Sequence, residues 1–111
     1  MKSYEKLKQN WEFRRVYAKG KCIVLPELII YVAKGRQARI RLGITAGKKL
    51  GIAVKRNRAK RVITAAFRQC VPQINKGLDF VIVARPRILA IKSTDVASAL
   101  ICELKRNGFA Q

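Results

Sequence analysis

KKLGIAVKRNRAKRVITAAFRQC, residues 48–70, carries two patterns at once. Its first fourteen residues hold seven Lys or Arg and no acid. From Ala59 onward, Val62, Ile63, Ala66, Phe67 and Cys70 recur at i+3, i+4, i+7, i+8 and i+11, the spacing of one buried helical stripe. The stripe predicts a helix over 54–70, so the charge sits at the start of an ordered element. There it opposes the helix. Lys55, Arg56 and Arg58 crowd the positive end of the macrodipole, where each cation costs a few tenths to about 1 kcal/mol. An anion docked at that terminus would reverse the sign, because backbone N–H groups and cations would then act together.

Working outward, LIIYVA (28–33) is almost continuously apolar and reads as a strand covered on both faces, entered through Pro26. ARIRLGITA (38–46) alternates, with Ile40, Leu42, Ile44 and Ala46 opposite Arg39, Arg41 and Thr45. With the turn Lys34-Gly35-Arg36-Gln37 between them, the two predict an antiparallel hairpin with a basic exposed face near its tip. FVIVA (80–84) reads as a short interior strand. A first helix is expected from Asn10, its N-cap, to Gly20, with Trp11, Phe13, Val16 and Tyr17 at helical spacing. A last helix is expected from Ser93 or Thr94 as N-cap to Asn107-Gly108. It obeys the macrodipole, with Asp95 early and Lys105 and Arg106 late. The order α-β-β-α-β-α predicts one α+β sandwich domain over residues 1–111.

Composition narrows the partner. With 25 basic and 6 acidic residues the net charge is +19 over 111 residues, a self-repulsion tolerated mainly where a polyanion is bound. Nucleic acid leads and an anionic membrane is the rival. Membrane attachment lacks an apolar run near the roughly 20 residues a span needs, and the cytoplasm is the expected location. The six acids are scattered and histidine is absent, so no catalytic constellation and no metal site is assigned. Cys22, Cys70 and Cys102 are read as small buried hydrophobes.

On the helix, Arg56 with Lys60 and Asn57 with Arg61 form i, i+4 pairs away from the apolar stripe, and Lys48 and Lys49 add charge at one end. Guanidinium forks, an ammonium and an amide suit phosphates and nucleotide edges. A solvated basic face is the bland alternative. The Gly43/Gly47/Lys48 neighbourhood lacks the spacing of a phosphate-binding nucleotide loop. A basic helix between two strands is a poor major-groove reader, so RNA is favoured over DNA. Phe13 or Tyr17 is a candidate platform for unpaired bases, packing on the domain body being the alternative.

GKKLGIAVKRNRAKRVITAAFR (47–68) resembles the signature of the bacterial ribonuclease P protein subunit, which joins K-K-x-G-x-A-V to R-N-R-x-K-R. The resemblance extends to Glu12, Phe13, Val16, Tyr17 and Gly20, and to the strand ending in Ala84-Arg85. It implies a fold like the second domain of ribosomal protein S5, with a left-handed β-α-β crossover where the usual hand is right. It also implies the function: a non-catalytic subunit that binds a large catalytic RNA, whose Mg²⁺ ions do the chemistry, and helps remove the 5′ leader of precursor tRNA. One protein per RNA is expected, with no cofactor of its own.

By the same resemblance, Arg56, Asn57, Arg58, Lys60 and Arg61 contact the catalytic RNA, with Lys48 and Lys49 beside them. Phe13, Tyr17 and Tyr31 border a cleft for the single-stranded leader. Thr64 stands where many relatives carry a basic residue one turn after Lys60; either Arg68 compensates from the next turn or leader contacts there are weaker. A general RNA-binding protein and a stand-alone nuclease are the rival classes.

Overall fold

The computed structural model describes residues 4–35 and 38–111. Five strands form one mixed sheet: β1 (Tyr4–Lys6), β2 (Lys21–Val24), β3 (Leu28–Lys34), β4 (Ile40–Thr45) and β5 (Leu78–Ala84). The helices are α1 (Asn10–Lys19), α2 (Ala53–Cys70) and α3 (Ser93–Arg106). The sheet runs β1-β4-β5-β3-β2, with β4 parallel to β1 and β5, and β3 antiparallel to β5 and β2.

The sheet separates two cores. Leu28, Ile30, Leu42, Phe80 and Ile82 face α2 and α3, meeting Ile63, Phe67, Leu100 and Leu104. On the other face, Ala33 and Val81 meet Val16 of α1 and Leu7. Strand alternation produces this division: successive side chains of β5 point to opposite layers, so Phe80 and Val81 enter different cores. The ring of Phe67 stands edge-on to both Phe80 (5.3 Å) and Tyr4 (5.2 Å), which ties α2 to the centre of the sheet and to its β1 edge.

The expected hairpin does not form. Both of its strands exist, but β5 lies between them, paired with β3 from Leu28↔Ala84 to Lys34↔Leu78 and with β4 from Arg41↔Asp79 to Thr45↔Val83. The reason lies in β5, where every residue except Val83 is buried. A strand apolar on both faces gains most when flanked on both sides, and a local hairpin would leave it at an edge. Arg36 and Gln37, the centre of the expected turn, lie outside the described residues.

Two edge strands were not expected. β2 exposes Lys21, Cys22 and Val24 and buries only Ile23, so it carries no alternating signal; β1 spans three residues. The helix caps also move by one. Gln9 rather than Asn10 precedes α1, and Lys92 rather than Ser93 or Thr94 precedes α3. Cys70 is buried, whereas Cys22 and Cys102 are exposed, contrary to expectation. Among the described residues, no helix is long and apolar enough to cross a membrane.

Candidate nucleic-acid interface

The first turn of α2 is bare of compensation. Ile52 precedes it with extended backbone, no side chain caps it, and no acid lies within it. Lys48 and Lys49 project from a short 3-10 turn whose Leu50 is buried, so the core anchors the approach to the helix. Lys55, Asn57, Arg58, Lys60 and Arg61 are exposed. Arg56 is half-buried, and its Nε is enclosed with no hydrogen-bond partner among the described residues. Ile52 and Val54 flank the turn and are exposed at 66% and 68%, so apolar surface adjoins the cations. The terminus thus presents uncompensated positive charge to solvent, which suits a polyanion.

The remaining basic residues of α2 divide. Lys60 and Thr64 line a cavity of about 270 Å³ with Phe13, Tyr4 and Lys6, so Lys60 borders an aromatic wall. Arg68 stands in the last turn of α2, about 18 Å along the axis from Arg56 at 1.5 Å per residue. It complements the negative end of the macrodipole and does not join the first-turn cluster.

The expected aromatic residues do converge, on the α1 face of the sheet. The Tyr17 ring stands edge-on to Tyr31 at 4.8 Å, and its hydroxyl lies 3.1 Å from Thr45 Oγ1. Phe13 lies against Gly43 of β4, where an added Cβ would come within 2.5 Å of the ring. Tyr17 is 38% exposed, while Phe13 and Tyr31 are half-buried, so each is partly open to a ligand. Burial pushes the Tyr31 phenol above its ordinary pKa, with the Cys22 thiol alongside adding to the rise. Trp11, one position outside the packed stripe of α1, points to solvent at 58% exposure.

An ion network, invisible in the sequence, holds α1 over this floor. Asp79 of β5, 1% exposed, accepts hydrogen bonds from Arg41 Nε (2.9 Å) and Nη2 (2.7 Å), and from Arg15 of α1. Arg41 Nη1 also reaches Glu12 Oε2 at 2.5 Å, so one guanidinium joins α1, β4 and β5. Glu12 Oε1 accepts the backbone N–H groups of Lys8 and Gln9, closing the start of α1. Those two amides chiefly hold the Glu12 carboxyl below its ordinary pKa, and Arg41 adds to the effect. Arg41 itself is raised, chiefly by its bond to Asp79. Arg41 was expected on an exposed basic face. Instead it is half-buried, since β5 brings Asp79 beside it.

Among the described residues, no group of three or more His, Cys, Asp or Glu could hold a metal ion. The interface offers cations, an amide and aromatic faces, which can dock and orient a nucleic acid.

The family model for Ribonuclease P matches residues 1–108. The chain is 37% identical over 109 residues to the ribonuclease P protein component of Bacillus cereus (strain G9842), covering 97% of this chain and 95% of that one. In structure it is similar to the RNase P protein of Staphylococcus aureus, with a TM-score of 0.83 at 28% identity, covering 98% of this chain and 100% of that one. The RNase P protein of Thermotoga maritima gives a TM-score of 0.80 at 28% identity, covering 92% and 96%.

Proposed function

The chain belongs to the ribonuclease P protein family, and on that premise we propose that it is the non-catalytic subunit of the ribonucleoprotein that removes the 5′ leader from precursor tRNA. Its first task is docking. The first turn of α2, with Lys48, Lys49, Arg56, Asn57, Arg58, Lys60 and Arg61, binds the phosphates of the catalytic RNA. Its second task is holding substrate: Phe13, Tyr17 and Tyr31 stack on unpaired leader nucleotides. Chemistry falls to the RNA and its Mg²⁺ ions. The protein acts in the cytoplasm as one copy per RNA.

The observation that carries this reading is the acid-free, uncapped and cationic start of α2. Local stability disfavours that arrangement, and a bound polyanion turns it favourable. The aromatic floor supports a separate site for single-stranded RNA, because stacking contributes about 1–3 kcal/mol per base without sequence demand.

The test measures precursor cleavage by a bacterial ribonuclease P RNA at low Mg²⁺. The mixture should cleave faster than the RNA alone, and the protein alone should not cleave. Precursor affinity should rise with leader length. Absence of stimulation would sink the proposal, cleavage by protein alone would indicate a nuclease, and equal affinity for unrelated RNAs would indicate a general binder.

A further inference from the structure

A second basic site lies at the far end of the molecule from the start of α2. Thr45 pairs with Val83 at one end of the sheet, and α2 starts beyond it; Lys34 pairs with Leu78 at the other end. Helix α2, 18 residues long, runs between these ends and spans about 27 Å. At the Leu78 end, a groove of about 560 Å³ is lined by Lys19, Lys21, Lys34, Asn75, Lys76 and Gly108, among others. None of its described lining residues is acidic.

The walls of the groove are knitted by backbone. Gly35 N–H donates to Gly77 O (2.8 Å) and Asn75 N–H to Phe109 O (2.9 Å), while Asn75 Nδ2 donates to Gly108 O at 3.0 Å. The lysines therefore rise from an ordered frame. Only Lys19 stands in the last turn of a helix, where a cation complements the dipole. Lys21 and Lys34 lie on strands and Lys76 on a loop, so no dipole accounts for them. Asp79, the nearest acid along the chain, is already held between Arg15 and Arg41. Four ammonium groups around one concavity repel one another unless an anion occupies it.

We infer that this groove binds the phosphate backbone of a second RNA segment, separate from the segment docked on α2. The inference rests on the RNA-binding reading above and adds a second point of attachment. The patches lie at opposite ends of the sheet, with the roughly 27 Å length of α2 running between those ends, farther than one compact phosphate cluster reaches, so two segments of the folded catalytic RNA are the occupants. Lys19 and Ala33 bring the groove round to the α1 side of the sheet, but Phe13, Tyr17 and Tyr31 are not among its described lining residues, which distinguishes it from the leader site.

The experiment compares the full-length protein with the triple variant Lys21→Ala/Lys34→Ala/Lys76→Ala. Affinity for transcribed ribonuclease P RNA is measured across a salt series, together with hydroxyl-radical footprinting. Loss of three phosphate contacts should reduce the slope of log K against log salt by about 2 to 3. One protected RNA segment should vanish while another remains. The reverse pattern is expected for Arg56→Ala/Lys60→Ala, and Lys21→Arg/Lys34→Arg/Lys76→Arg should keep both segments. An unchanged slope, or loss of the same segment by both alanine variants, overturns the inference. So does a change confined to leader-length dependence, which would assign the groove to substrate. If the α2 variant also leaves RNA binding unaltered, the RNA-binding reading itself fails.

Discussion

Asp79 shows how much depends on one side chain of an acid-poor protein. It is 1% exposed and satisfied by two arginines, so removing it takes the main carboxylate from two half-buried guanidinium groups, leaving Arg41 only Glu12. Asp79→Ala should cost about 3–5 kcal/mol in urea-melt stability. Glu12 adds a pH dependence whose sign follows from its lowered pKa. Its contribution is full above the unfolded carboxyl pKa near 4.5 and is lost as pH falls through the lower folded value. The stability gap between wild type and Glu12→Gln should therefore close as pH drops below about 4.5, read from urea midpoints along a pH series. The cysteines divide by exposure. Burial pushes the Cys70 thiol up to about 11, so iodoacetamide at pH 8 should label Cys22 and Cys102 and spare Cys70, as mass spectrometry of the native protein would show.

At the scale of elements, α2 is the part whose charge works against its own helix. Arg56→Ala with Lys60→Ala should flatten the salt dependence of RNA binding, by about 0.7 per lost single-strand contact or 0.9 per duplex contact. The melting temperature of the free protein should hold or rise, because Arg56 opposes the dipole in the first turn of α2 and Lys60 is exposed. A clear fall would show that the pair is structural. This helix was also the most legible element, expected over 54–70 and found at Ala53–Cys70, because a long 3.6-residue stripe has few other solutions. Strand pairing was less legible. The alternation of 38–46 located β4, yet nothing local reveals that β5, more than thirty residues on, takes the place beside it. The same gap hid the Arg41–Asp79 pair, which depends on that register. The aromatic residues were legible as types on α1 and β3, but their convergence required Gly43 to admit the Phe13 ring.

For the whole molecule, the +19 charge couples stability to anions. Sulfate should raise the melting temperature more than sodium chloride of equal ionic strength, since it occupies sites as well as screening. An anion at ten times its Kd stabilises by about 1.4 kcal/mol, or about 5 °C for a domain near this size. Equal effects of the two salts would mean screening alone. The central place of β5 has a separate consequence, for the order in which the chain is made. During synthesis β1 to β4 and α2 leave the ribosome before the strand that joins them, so the sheet stays open until residue 84 emerges. A ribosome stalled before Leu78 therefore holds a basic chain whose β1–β4 and β2–β3 pairs are not yet joined, and the last third of translation decides whether the first two thirds close into one sheet.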